Sequence, residues 1–326
     1  MSFILGNKDV LSFFEEAAKS GKHSHAYIIE GADGSGKLTL ARAISATLIC
    51  GADKVCFSCP ACKRIMSGIH QDVKEIRPEE NKSVISIEQM RSVISDAYIK
   101  PAECDKKIFI IDGAHKTKSE AQNALLQILE EPPKNVIIFL LVPSRNLLLP
   151  TIKSRALTLK TEKFSYDFIV DELTERYPNK PELIKEAALL SNGALGEAID
   201  FIESPAKRRG VETVKAYFSE LKGYATFSSL MAIISMNKKM TRDNLFSLMT
   251  CFSAALRDIL VYQSGCREKN TFFADSEDLR ILADKLEAKK LLKAHETVCE
   301  ILKDIDRINV NLALTNICMT LSDDFS

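Results

Sequence analysis

Apolar and polar positions follow different periods in the two halves of this chain. In the first half, short apolar runs alternate with amphipathic stretches. AYIIEG (26–31) reads as a strand entering a glycine-rich turn, and a good helix former follows from Lys37 to about Ile49. VKEIRP (73–78) fits another strand, and SIEQMRSVISDAYI (86–99) carries Ile87, Met90, Val93 and Ile94 at helical spacing. KIFIID (107–112) and VIIFLLV (136–142) are apolar throughout, as strands covered on both faces of a parallel sheet are. Between them SEAQNALLQILEE (119–131) reads as an amphipathic helix stopped by Pro132 and Pro133, since proline lacks an N–H and clashes with the preceding turn. ALTLKT (156–161) closes the series. Strands alternating with helices predict an α/β domain over about the first 160 residues.

Strand signals then fade. Segments 165–176, 181–191 and 194–204 predict three short helices, with Asn192-Gly193 turning the chain between the last two. SPAKRRG (204–210), with Pro205 and Gly210, reads as a hinge. From 211 to 322 the spacing is helical, most clearly over 281–307. The expected organisation is an α/β domain at 1–162, a small helical lid at 163–207 and a helical bundle at 208–326.

At 326 residues, two or three domains are the expectation. Hydrophobic content of 46% and charged content of 27% are those of a soluble globular protein. Lys+Arg and Asp+Glu both count 44, whereas a protein gripping DNA alone through its phosphates is usually basic. Any nucleic-acid contact is therefore expected to be local or shared with partners. The sequence reads as having no apolar stretch of membrane-spanning length and no signal peptide, so a cytoplasmic protein without a membrane partner is expected.

EGADGSGKLTLA (30–41) nearly spells the phosphate-binding loop G-x-x-x-x-G-K-[ST]. Gly31, Gly36 and Lys37 are in place, with Gly34 between them, but Leu38 stands where a hydroxyl ligand of Mg²⁺ belongs. Thr39 is no substitute, because one helical step turns a side chain by about 100°. Asp112 ends an apolar strand, the place for a carboxylate that holds Mg²⁺ through water. Many ATPases with this loop place Glu next, to polarise the attacking water; here Gly113 follows. Binding of nucleotide through the backbone and Lys37 stays open, while hydrolysis should suffer. The plainer readings are a chance glycine turn and, for Asp112, a helix cap.

CGADKVCFSCPAC places Cys50, Cys56, Cys59 and Cys62 in the pattern C-x₅-C-x₂-C-x₂-C. Four thiolates with no open position describe a structural Zn²⁺ site. A redox pair needs only two of them, and iron–sulfur ligation shares the spacing. His70 is expected to be a surface or core histidine, and the five scattered cysteines small buried apolar residues.

With these motifs, the chain resembles the AAA+ clamp-loader subunits of bacterial DNA polymerase III. HSHAYIIEGADGSGK (23–37), the four-cysteine insertion, SIEQMRSV (86–93), IFIIDGAHKTKSEAQNALLQILEEPP (108–133), FLLVPSRNLLLPTIKSRA (139–156) and INVNLALTNI (308–317) carry the likeness. NALLQILEEPP and LLPTIKSR are specific as a pair. The resemblance implies a RecA-like parallel sheet with flanking helices, then the lid and an all-α oligomerisation collar. It implies motor and delta subunits as partners in a hetero-oligomer, and primer-template DNA and the sliding clamp through that complex. Motors of the family have Lys-Thr in the loop, Asp-Glu on the acidic strand and a sensing arginine in G-S-x-R-x-A. Here those positions read Lys37-Leu38, Asp112-Gly113 and, in GALGEA (193–198), Gly196. The departures resemble the non-hydrolysing delta-prime type, whose own ATP binding is doubtful. The family's Ser-Arg-Cys motif reads Ser154-Arg155-Ala156, so the arginine that serves a neighbour's ATP is kept. Ser144 holds the sensor position after the fourth strand, and Asn309, Asn311, Leu312 and Leu314 fit packing between collar subunits. The competing expectations are a motor subunit with weak ATPase of its own and a metal-dependent binding module unrelated to replication.

Overall fold

The computed structural model describes residues 6–52, 54–79, 82, 84–235, 242–266, 272–273, 277–303 and 308–322. The chain divides into two compact units, residues 1–164 with 194–196, and residues 165–193 with 197–326. The expected lid and collar fall largely within the second unit.

The first unit contains α1 (Lys8–Ser20), β1 (Ala26–Glu30), α2 (Lys37–Ile49), α3 (Pro60–Met66), β2 (Val73–Ile76), α4 (Ile87–Ala97), β3 (Lys107–Asp112), α5 (Ser119–Glu130), β4 (Val136–Val142), α6 (Pro150–Lys153) and β5 (Leu157–Lys160). Its described strands form one sheet in the order β2-β3-β4-β1-β5, with every pairing parallel. Alternation along the strands divides the core into two faces. Tyr27, Ile29, Ile108, Ile110, Phe139 and Leu141 meet Phe14 of α1, Leu40 and Ile44 of α2 and Ile65 of α3. Ile28, Phe109, Ile111, Ile138 and Leu140 meet Met90 and Val93 of α4, Leu125 and Ile128 of α5 and Ile152 of α6. Burial on both faces is why the strands read as unbroken apolar runs. The helix over 86–99 starts where Ser86 and Gln89 form a reciprocal capping box. Helices α1 and α3, which the sequence reading missed, complete the first face.

The second unit contains α7 (Tyr166–Arg176), α8 (Pro181–Leu190), α9 (Leu195–Glu203, from Glu197 onward), α10 (Pro205–Glu220), α11 (Phe227–Ser235), α12 (Arg242–Gln263), α13 (Glu277–Lys285), α14 (Ala288–Lys303) and α15 (Val310–Leu321). The expected hinge at 204–210 is instead the start of α10. Ser204 caps it by accepting from the Lys207 N–H, Pro205 sits in the first turn, and Gly210 lies buried within the helix. Proline at this position begins a helix, because its missing N–H has no intrahelical partner to lose. The 281–307 segment divides into α13 and α14, with 304–307 outside the described residues. At the break, Gln263 of α12 donates to the carbonyls of Ala283 and Leu286 at 2.8 and 2.7 Å.

Asn244–Gln263 within α12 is long and apolar enough to cross a membrane, contrary to the sequence reading. In the fold it packs against α10, α13 and α14, with Leu245, Met249, Phe252, Leu256 and Ile259 fully buried. Asp258 on the same helix is also fully buried. It accepts from the Phe272 and Phe273 N–H groups at 2.6 and 3.2 Å and pairs with Arg257, so the buried charge is compensated.

Candidate functional site

The glycine-rich loop joins the end of β1 to the start of α2, and β1 lies between β4 and β5. Strand order reverses beside β1, which puts the loop at the carboxyl end of the sheet where such folds hold ligands. Gly34 and Gly36 adopt left-handed φ values of 69° and 81°. Gly31 is required by space, because a Cβ there would lie 1.9 Å from Thr161 Oγ1 and 2.6 Å from Ser35 Oγ. Lys37 turns its ammonium back onto the loop, donating to the carbonyls of Gly31 and Ala32 at 2.8 Å each and lying 3.4 Å from Asp33 Oδ1.

Leu38 packs against the apolar cluster of Phe14, Tyr27 and Leu40, and Thr39 is exposed. Asp112 lies at the end of β3, where Arg77 Nε approaches its Oδ2 at 3.5 Å. Gly113 takes a left-handed φ of 82°, and a Cβ there would stand 3.2 Å from Lys116 Cδ. A glutamate at this position would thus meet both backbone strain and a close neighbour.

Two residues at this site were missed by the sequence reading. Arg77 bridges Asp112 and Glu75, the latter at 2.6 Å. His115 has its Nδ1 enclosed and without a hydrogen-bond partner. Burial lowers its basicity first, and Lys116 and Lys37 lower it further against the opposing pull of Asp33 and Asp112. The DGAH tetrapeptide is the signal that could have found it.

Arg155 follows α6 and is exposed. Its Nη1 donates to the Thr151 carbonyl at 2.9 Å and to Ser154 Oγ at 3.2 Å, and its Nη2 lies 2.9 Å from Glu130 Oε1. Ser144 caps the turn that follows β4. Its hydroxyl accepts from the Asn146 N–H at 3.3 Å, and the adjacent Arg145 N–H donates to Glu30 Oε1 at 3.0 Å.

The four clustered cysteines converge so that every sulfur lies within 4.8 Å of the others. Cys50 and Cys56 sulfurs are 3.6 Å apart, and those of Cys56 and Cys62 are 3.9 Å apart. Tetrahedral Zn²⁺ with bonds of about 2.3 Å places its sulfurs about 3.8 Å from each other, so the donor set fits that ion. Backbone N–H groups of Cys59 and Cys62 donate to the sulfurs of Cys56 and Cys59 at 3.4 Å each. N–H groups from Ser58 and Cys59 pull the Cys56 thiol down to about 5, while burial pushes the Cys62 thiol up. The cluster is tied to the sheet by α3: Cys62 and Ile65 are buried in the core, and Arg64 forms a bidentate pair with Glu103.

His70 belongs to a different group. It is buried beside Asp72 and Cys104, accepting at Nδ1 from the Asp72 N–H at 3.1 Å. Asp72 accepts three N–H bonds, from Ala102, Glu103 and Cys104, at 2.6 to 3.0 Å. In the last helix, Asn309 caps α15 through bonds from the Asn311 and Leu312 N–H groups, Leu314 is buried and Leu312 is exposed.

A parallel sheet in the order β2-β3-β4-β1-β5, with a glycine-rich loop after β1 and an acidic residue ending β3, is an α/β fold of the AAA+ class. Profiles of the DNA polymerase III delta subunit family match residues 6–165, and those of its C-terminal domain match 216–322. DNA polymerase III subunit delta' of Bacillus subtilis is 30% identical over 272 residues, which is 80% of this chain and 79% of that protein. Subunit gamma of Buchnera aphidicola is 29% identical over 61% of this chain and 57% of its own length. Subunit delta' of Pseudomonas aeruginosa is 31% identical over 53% of this chain and 54% of its own. The chain thus spans little more than half the length of those last two relatives. Among solved structures, a DNA polymerase III gamma subunit-related protein of Thermotoga maritima aligns over 97% of this chain at 20% identity, with a TM-score of 0.49. The chain belongs to the clamp-loader family of DNA polymerase III subunits, with delta-prime, gamma and tau.

Proposed function

We propose that this chain is a clamp-loader subunit that hydrolyses no ATP and completes the ATP site of a neighbouring motor subunit through Arg155. The observation that carries this reading is the fate of Leu38. A motor needs a metal-binding hydroxyl there, and here a half-buried apolar side chain packs against the core cluster instead. Gly113 supports the same reading, since it can neither accept a proton nor orient water. Gly31, Gly34, Gly36, Lys37 and Asp112 are then a retained framework, with Lys37 engaged by loop carbonyls and Asp112 by Arg77.

Arg155 needs no nucleotide in its own domain. Its guanidinium is permanently charged and forked, suited to a γ-phosphate whose oxygens gain negative charge as the bond breaks. Its exposure and its tether to Glu130 support presentation to a partner. Cys50, Cys56, Cys59 and Cys62 would hold Zn²⁺ in a structural role, fixing α3 against the sheet. Acting in the cytoplasm, the chain would join motor and delta subunits through its collar (208–326), with most of the lid (163–207) in the same compact unit. Primer-template DNA and the sliding clamp are reached through the assembly.

The test is ATP turnover by the isolated chain, with none above background expected. Turnover at rates usual for ATPases, about 1 s⁻¹ or faster, would favour the motor reading.

A further inference from the structure

Residues 194–196 belong to the first unit, and Gly196 is hydrogen-bonded to the phosphate loop. The Gly196 N–H donates to the Gly34 carbonyl at 2.9 Å. A Cβ on Gly196 would stand 2.7 Å from that oxygen, 2.9 Å from Gly34 Cα and 3.2 Å from its carbonyl carbon. All three atoms are backbone, so no side-chain rotation relieves the contact. Gly196 does not have a left-handed φ, and its requirement for glycine is purely one of space.

The same loop is held at two further points. Thr161 Oγ1 donates to Ser35 Oγ at 3.0 Å, across a gap that admits no side chain at Gly31. Lys37 closes the inner side by bonding to two carbonyls. Lys37 thereby gives to loop carbonyls the ammonium that a phosphate would otherwise engage, and Gly196 pairs the Gly34 carbonyl, an acceptor that no phosphate could satisfy.

We infer that Gly196 is a clasp, a positioning residue that holds the phosphate loop in place through a protein contact. The inference rests on the reading of this loop as nucleotide-silent, and it assigns a use to the position rather than a loss. Any side chain here, the family's sensing arginine included, opens the clasp before it reaches a phosphate.

Hydrogen exchange of the full-length chain in nucleotide-free buffer tests it. The wild-type Gly196 amide is expected to be protected, which needs no variant. In Gly196→Ala, the loop's Ser35 amide, which donates to the Ala32 carbonyl at 3.2 Å, is expected to exchange about tenfold faster, the loss expected for one hydrogen bond at the upper end of its net worth. A melting curve confirms that the variant is folded. Unprotected Gly196 in the wild type, or loop exchange unchanged in folded Gly196→Ala, overturns the clasp. ATP turnover by the wild type would overturn the silent reading instead, and the exchange data would report on the clasp independently.

Discussion

Glu130, the last residue of α5, holds Arg155 Nη2 at 2.9 Å from its Oε1. Both side chains are well exposed, at 50% and 36%, so solvent screens the pair and it contributes little to stability. Its effect is on direction, because a long side chain tethered at both Nη atoms has fewer orientations to lose when it meets a ligand. Glu130→Ala should therefore leave stability within about 0.5 kcal/mol of wild type. In a reconstituted complex it should lower ATP turnover a few-fold, well short of the loss from removing Arg155. Melting curves and steady-state hydrolysis check the two parts, and a large stability loss contradicts the first.

Leu38→Thr restores the hydroxyl of the loop motif without restoring its surroundings. The isolated chain should gain no ATP turnover, since Gly113 supplies no group to orient water. It should lose about 1 kcal/mol, because a polar group replaces a packed apolar one. Turnover that appears with this single change would show that Leu38 alone silences the site.

Much of this fold was legible from periodicity. The buried strands announced themselves because both faces are covered, and Pro132 and Pro133 bounded a helix through local backbone chemistry. The hinge expected at 204–210 failed because proline and glycine break helices only in context; Pro205 occupies a first turn and Gly210 is enclosed by packing. Helical spacing was read across α12, but the length of its apolar stretch, Asn244–Gln263, was overlooked. At the site, spacing exposed the loop and the cysteines. Arg77 was invisible because only folding brings it beside Asp112, whereas His115 stood in the DGAH tetrapeptide and went unread. Asn309 likewise serves as a local cap, a role that its surrounding motif did not reveal.

Purified protein should contain about one equivalent of zinc, and less than half an equivalent with the cysteines reduced contradicts the site. Cys59→Ser should lose the metal and lower the melting temperature. The binding energy of a structural ion is also folding energy, so the loss should be of the order of several kcal/mol. The change should be felt first in α3 and the Arg64–Glu103 pair, by hydrogen exchange.

Acidification should destabilise the chain in two stages. Burial holds His70 and His115 below the ordinary histidine range. They charge more readily unfolded, so their contribution is present above about pH 6.5 and is lost as pH falls through their lowered folded values. Burial alone would raise Asp72, but N–H bonds from Ala102, Glu103 and Cys104 hold it below the usual carboxylate range. Its contribution is present above about pH 4 and is lost as pH falls through its folded value. Melting temperature from pH 7.5 to 3 should show both falls. Asp72→Asn should shrink the lower one, and an unaltered acid limb rules out this cause.

The central claim is that the chain lacks hydrolysis of its own yet acts on a neighbour's ATP. The most direct measurement is ATP turnover by a complex reconstituted with motor subunits, comparing wild type with Arg155→Ala in this chain alone. An arginine placed on a transferring phosphate contributes about 10³-fold or more, so one of the motor sites should fall silent while assembly and melting are unchanged. Turnover equal to wild type in a fully assembled complex would contradict the account.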